Sequence, residues 1–212
     1  MTPAFLTLTG ADRADLIPAM QRLSAEHPGR IEWGILIGLA PADRFADTPA
    51  LDAMRHAGLQ LSAHLCGSLA EAIFAGTMPV LDLAGFSRMQ VNKSDGHANA
   101  AEVENAIRYG SRMGLRTILQ CAGPFPDDPR CDWLLDGSHG RGRRLAWVPA
   151  LDQSRAFCGI AGGISPETIG GLLQQVNAPD LPFWLDIESA LRDETGFSIP
   201  ACERLIASAF RS

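Results

Sequence analysis

The sequence predicts an α/β fold, a closed (β/α)8 TIM barrel, and three observations carry that prediction. Short apolar runs alternate with helical stretches along the chain, the pattern of a parallel sheet covered on both faces. Eight such runs can be counted. The length of 212 residues lies within the ~200–400 that eight strand–helix units occupy. An open doubly wound sheet is the alternative for the same alternation.

Phe5–Thr9 is the first strand, closed by Gly10. Asp12 is placed to cap a helix to about Glu26, with Pro18 set to kink it. Glu32–Ile37 is the second strand, and the loop Gly38–Thr48 after it carries Arg44. Thr48-Pro49 open a short helix. Gln60–Leu65 is the third strand, and Ser68 with Glu71 has capping-box spacing for the next helix. Arg88–Asn92, after a Gly85 turn, is the fourth, with a helix after it at about Ala98–Met113. Thr117–Cys121 is the fifth. Proline and aspartate crowd 124–131, so the helix after this strand is short or missing. Trp133–Asp136 is the sixth, and after its glycine-rich loop, 137–142, the helix is again short or missing. Residues 157–163 form the seventh strand, closed by Gly162 and Gly163. Ser165 and Pro166 suit the N-cap and first position of a helix bearing Ile169, Leu172, Leu173 and Val176. Residues 183–189 form the eighth strand, and Ser198 with Pro200 opens a last helix to about Phe210. The whole chain, 1–212, reads as one domain.

Composition narrows the function. A hydrophobic content of 46% and a charged content of 20% describe an ordinary soluble globular protein. A net charge of −6 argues against nucleic acid or an anionic membrane as partner. No leader and no apolar run of spanning length is apparent, so a cytoplasmic protein is expected. The five cysteines lack metal or redox spacing and read as reduced. No metal and no cofactor is expected. The expected partner is a small-molecule substrate, and the chain is expected to act as a monomer or homodimer.

Side chains alternate in direction along a strand. One parity gives Thr7 and Thr9, Ser62 and His64, Gln90 and Asn92, Gln120, Asp136, and Asp186 with Glu188. These polar groups fall near the C-terminal ends of six different strands, where a barrel builds its active site. Asp136 ends the apolar run Trp-Leu-Leu-Asp, and a carboxyl at a partly dry rim can serve as acid or base. His64, Cys66 and Glu188 are the candidate bases. Asp186 and Glu188 share a face and are open to pairing with Arg44 or Arg192. Arg44, Gln90, Asn92, Gln120, Asp186 and Thr9 are the candidate substrate contacts. Lys93, the one lysine among 18 basic residues, is the only Schiff-base candidate. The double glycine Gly162-Gly163 lets backbone N–H groups approach an anion. Arg141, Arg143 and Arg144 in the loop after strand six are placed to clamp a phosphate or carboxylate, the alternative being a simply solvated set.

From strand six onward the chain resembles the phosphoribosylanthranilate isomerases. Leu-Leu-Asp-Gly-Ser at 134–138 is similar to the family's Leu-Leu-Asp-Ser, Ile-Ala-Gly-Gly-Ile-Ser-Pro-Glu-Thr at 160–168 to its Leu-Ala-Gly-Gly-Leu-x-Pro-Glu-Asn, and Leu185-Asp186-Ile187 to its Val-Asp-Val. A glycine-rich loop and Trp147 also come after strand six as in the family. The resemblance implies a barrel acting on a phosphorylated sugar derivative, with Asp136 as general acid and Arg44 near a carboxylate-holding arginine. It implies a phosphate grip of Gly162, Gly163 and Ser189, with Arg192 to offset Glu188. Two departures stand out. The family's general base is a cysteine in Lys-Ile-Cys-Gly, and here Thr7-Leu8-Thr9-Gly10 puts Thr9 in its place. The family's Ser-Ser-Gly becomes Glu188-Ser189-Ala190. The expectation is therefore an acid/base isomerase on a small phosphorylated or carboxylated sugar-like substrate, distinct from the tryptophan-pathway enzyme. The alternatives are a non-catalytic binding or regulatory barrel, and a barrel lyase or aldolase.

Overall fold

A computed structural model describes residues 1–39, 44–93, 97–136, 143, 145–176 and 181–210. Its strands are β1 (Phe5–Thr9), β2 (Ile31–Ile37), β3 (Leu61–Leu65), β4 (Phe86–Val91), β5 (Arg116–Cys121), β6 (Asp132–Leu135), β7 (Cys158–Ala161) and β8 (Phe183–Ile187). Each pairs in parallel with the next, and β8 pairs with β1, so the sheet closes into a barrel in chain order. The helices are α1 (Ile17–Glu26), α2 (Thr48–Arg55), α3 (Ser68–Phe74), α4 (Ala100–Met113), α5 (Ile169–Gln175) and α6 (Ile199–Ala209). Among the described residues no α-helix comes between β5 and β6 or between β6 and β7; a 3-10 turn at Leu151–Gln153 precedes β7. The alternation of the sequence thus closes as a (β/α)8 barrel, as expected.

Several helix starts differ from the sequence reading, each for a local reason. Asp12 caps nothing: it pairs with Arg192 at 3.0 Å, and a 3-10 turn at Ala14–Leu16 leads into α1. Pro18 falls in the first turn of α1, where its missing N–H costs nothing, so it starts the helix and does not kink it. Gly67 is the N-cap of α3 and Ser68 is already helical, with no side-chain cap, so no capping box forms there. The box appears on α4, where Asn99 accepts from the N–H groups of Ala101 and Glu102, and Glu102 accepts from that of Asn99. The Ser165 hydroxyl donates to Glu167 at 2.7 Å, so it caps no N–H, and α5 begins only after Thr168. Strands β7 and β8 are shorter than their apolar runs. A 3-10 turn, Ser189–Leu191, comes after β8 and leads into a hairpin of β9 (Arg192–Asp193) and β10 (Gly196–Phe197) that the sequence reading did not contain.

Two cores result. The larger lies between barrel and helices, from Leu6, Leu8, Ile35 and Leu65 on the strands to Met20, Met54, Tyr109 and Leu205 on the helices. The smaller fills the barrel interior below the mouth: Ile118, Leu134, Ala161 and Trp184, with Phe5 and Phe157 against them. Gly159 makes room there, because a Cβ at that position would stand 2.2 Å from the Trp184 ring.

A charged layer rests on this aromatic floor. The Arg88 guanidinium lies 4.2 Å from the centre of the Trp184 ring, with the Phe5 and Phe157 rings at 5.3 and 5.8 Å. It stands 3.6 Å from Glu32 and 3.5 Å from Asp132. Thr7 donates to Glu32 at 2.8 Å, and Arg116 donates to Asp132 at 2.7 Å. Burial pushes the Glu32 carboxyl above its ordinary range, against the pull of Arg88.

Candidate active site

The C-terminal ends of the strands enclose a hollow of about 60 Å³. Gln90, Asn92, Gln120, Asp136, Asp186, Glu188, Gly163 and Ser189 are in its wall. Parallel pairing is why residues from β4 to β8 meet here: all eight strands end on one face, and their inward parity points to one axis.

Two hydrogen-bonded arms organise the wall. On one, the Gln90 amide donates to Asn92 at 2.7 Å, and Asn92 donates to the Cys66 sulfur at 3.2 Å. On the other, the backbone N–H of Lys93 donates to Gln120 at 3.0 Å, and Gln120 donates to Asp136 at 3.2 Å. Asp136 is buried, with 4% of its surface exposed, and faces the hollow.

Asp186 stands on β8 beside β1, and the Thr9 hydroxyl donates to it at 2.6 Å. Its pKa is raised to about 7, by burial first and also by nearby Asp136, against the pull of Thr9 and Arg88. This carboxyl therefore titrates near neutrality, where an acid–base catalyst is most effective. Gly34 of β2, the register partner of Thr9, permits the arrangement. A Cβ there would stand 2.2 Å from the Thr9 hydroxyl and 3.1 Å from His64 Nε2.

Glu188 pairs with Arg44 from the loop after β2. Its carboxyl is also raised, by burial first, with Arg44 opposing. Arg192, the other arginine considered for this pairing, lies elsewhere. It donates to the Gly10 carbonyl at 3.1 Å and pairs with Asp12.

The other candidate bases sit differently. His64 is buried at 1% exposure and is not in the wall of the hollow; burial lowers its pKa to about 4. Its Nε2 makes no hydrogen bond among the described residues. Cys66 donates to the His64 carbonyl at 3.4 Å, and burial raises its thiol to about 11. Neither group is tuned for proton abstraction near neutrality. Lys93 binds Glu102 at 2.7 Å above the Phe74 ring, in a side hollow between α3 and α4.

Of the anion-binding residues, Gly163 and Ser189 reach the hollow. Gly162 has φ +102°, and a Cβ there would meet the Arg143 carbonyl at 2.8 Å. Close chain packing thus accounts for that glycine. Arg141 and Arg144 lie outside the described residues. No three His, Cys, Asp or Glu side chains among the described residues group so as to hold a metal, and no described helix is long and apolar enough to cross a membrane.

The sequence reading missed the charged layer below. Glu32 and Arg88 lie near the starts of β2 and β4, two residues before Gly34 and Gln90, so the same parity rule points them inward. Gly34 carried a signal too, as a glycine inside a strand often marks a close approach.

No family model matches the chain, and no curated protein matches it. Solved structures do. Phosphoribosylanthranilate isomerase from Thermus thermophilus is 17% identical at a TM-score of 0.60, covering 96% of this chain and 97% of its own. The enzyme from Pyrococcus furiosus is 12% identical at 0.63, covering 98% and 99%. That from Thermococcus kodakaraensis is 14% identical at 0.61, covering 99% and 100%. The chain thus has a phosphoribosylanthranilate isomerase-like barrel over nearly its full length.

Proposed function

We propose that the protein is an isomerase that moves a proton within a small sugar-like substrate, with Asp186 as base and Asp136 as acid. One observation carries this reading: the two carboxyls, from β8 and the end of β6, face one small hollow, and Asp186 is held by Thr9 in a setting where it titrates at about 7. Ionised, Asp186 takes a proton from a carbon beside a carbonyl group. Asp136 gives its proton to the carbonyl oxygen, and an enediol results. Asp186 then gives its proton to the former carbonyl carbon while Asp136 takes the hydroxyl proton from the first carbon, which leaves the isomer with both carboxyls restored. Gln90, Asn92 and Gln120 present donors and acceptors for the substrate hydroxyls. In the fold family a cysteine stands where Thr9 does; here Thr9 orients Asp186, which takes over the work. A cytoplasmic location, as monomer or homodimer, belongs with this reading.

The reading also separates this protein from the tryptophan-pathway enzyme. Thr9 has no basic group to offer, and Glu188 stands where the family grips phosphate. We expect no rescue of a tryptophan-requiring strain at ordinary expression. A Schiff-base lyase has less support, since Lys93 is committed to Glu102 away from the hollow.

The test is solvent exchange. A panel of aldoses and ketoses, free and phosphorylated, is incubated with the protein in heavy water and monitored by NMR. Deuterium should enter at the carbon beside the carbonyl of one substrate, and Asp186→Asn should slow this about 100-fold or more, as for loss of a general base. A chain that exchanges no member of the panel, or an Asn variant with full activity, ends the proposal.

A further inference from the structure

The reading of the mouth as an active site leaves the charge of its substrate open, and the expectation from the sequence was a phosphate or a carboxylate. Resting on that reading, we infer that the mouth takes an uncharged, hydroxyl-rich substrate and discriminates against its phosphate ester.

Three groups of observations support this. First, the wall of the hollow carries three carboxyls, Asp136, Asp186 and Glu188, and three amides, Gln90, Asn92 and Gln120, with no lysine or arginine among the described residues that line it. Carboxylates and amides accept and donate hydrogen bonds to hydroxyls, the chemistry that holds a polyol. A phosphate brought to about 4 Å from one carboxylate would lose roughly a thousandfold in affinity at protein-surface dielectric.

Second, three of the described cations nearby are already matched. Arg44 pairs with Glu188, so the two bring no net positive charge to the rim. Arg192 is held by Asp12 and the Gly10 carbonyl. Lys93 is held by Glu102.

Third, the backbone after the glycine pair is closed on itself. The Ser165 N–H donates to the Thr168 hydroxyl at 2.8 Å. The N–H groups of Thr168 and Ile169 both donate to the Ser165 carbonyl, at 3.1 and 3.0 Å. These three donors therefore face the chain. Helix α5 has only seven residues and starts beyond this turn, so its dipole adds little at the hollow.

The experiment compares matched ligands by thermal shift and calorimetry: free aldoses, ketoses and alditols of five and six carbons, the phosphate monoester of each, and inorganic phosphate. A free polyol should bind at least tenfold more tightly than its own ester, and inorganic phosphate should give no shift at millimolar concentration. Glu188→Gln supplies the second readout. It releases Arg44 and removes one carboxyl, so ester affinity should rise tenfold or more, and should rise relative to that of the parent polyol. Three results overturn the inference: an ester that binds as tightly as its parent, no response to any free polyol up to 100-fold the protein's working concentration, or an unchanged ester affinity in Glu188→Gln. Failure here is distinguishable from failure of the isomerase reading. An ester that binds and exchanges deuterium removes the charge selectivity and keeps the proton chemistry. A polyol that binds without exchange does the reverse.

Discussion

The floor and the mouth of this barrel are built from the same kind of residue and end in opposite states. In the floor, Arg88 lies on Trp184 between Glu32 and Asp132, with Thr7 and Arg116 completing the set. Cations and carboxyls are balanced there, with Arg88, Glu32 and Asp132 buried and Arg116 reaching solvent. In the mouth, three carboxyls meet one arginine among the described residues, and one of them, Asp186, holds a proton up to about pH 7. The comparison teaches that a polar residue inside a barrel is no sign of catalysis by itself. What marks the mouth is the imbalance of charge around its hollow.

Substitutions can break the comparison at either level. The largest effect should come from the floor. Arg88→Met keeps the packing over Trp184 but leaves Glu32 and Asp132 without their shared cation. Removing one partner of a buried ionic group costs about 3–5 kcal/mol, and urea unfolding should show that loss. A loss below about 1 kcal/mol would mean that the floor carboxyls are not charged as drawn.

Asp136→Asn should do the reverse. Stability should change by no more than about 1 kcal/mol, while turnover of the identified substrate falls about 100-fold or more, as for loss of a general acid. Near-normal turnover would return Asp136 to a structural role.

Gly34→Ala couples the two readouts. The added Cβ meets the Thr9 hydroxyl, so overpacking should cost about 1–3 kcal/mol. Thr9 should also be driven off Asp186, and a carbon-13 NMR titration should show the Asp186 pKa rising. An unmoved Asp186 titration would show that Thr9 does not control it.

The last test is the slope of stability against pH. Asp186 keeps its proton to about 7 in the folded chain and loses it near 4 when unfolded. Between these values the folded state binds more protons, so this group makes stability fall as pH rises, and the loss is complete above pH 7. His64 is opposite: its pKa is about 4 folded and about 6.5 unfolded. In that window the unfolded state binds more protons, so stability falls as pH drops from 6.5 towards 4. Asp186→Asn should therefore steepen the acid-side fall, and His64→Gln should flatten it. Denaturation midpoints at intervals from pH 4 to 8 measure both, and parallel curves for the variants would refute both assignments.

Much of this molecule was legible in the chain. The alternation of apolar runs and helical stretches carried the closed barrel, because the outer face of each strand must be covered by a helix or loop. Period-two alternation carried the inward set, Thr9, Gln90, Asn92, Gln120, Asp136, Asp186 and Glu188, because side chains on a strand have only two directions. The helix starts were less legible. Ser68, Ser165 and Asp12 all have capping chemistry, yet their side chains form no cap, since a cap depends on the angle at which the chain leaves the preceding strand.

Pairing and depth belonged to the tertiary structure alone. Thr9 meets Asp186 only because β8 returns to β1, 177 residues along the chain. Arg44 reaches Glu188 and Arg192 reaches Asp12 through loops whose course the local sequence does not encode. Glu32, Arg88 and Asp136 share one parity rule, and only their height on the barrel axis separates a buried ion pair from a group at the hollow. Local chemistry determined which residues face inward. Closure of the ring decided which of them meet, what each one's neighbours are, and so which carboxyl titrates where a reaction can use it.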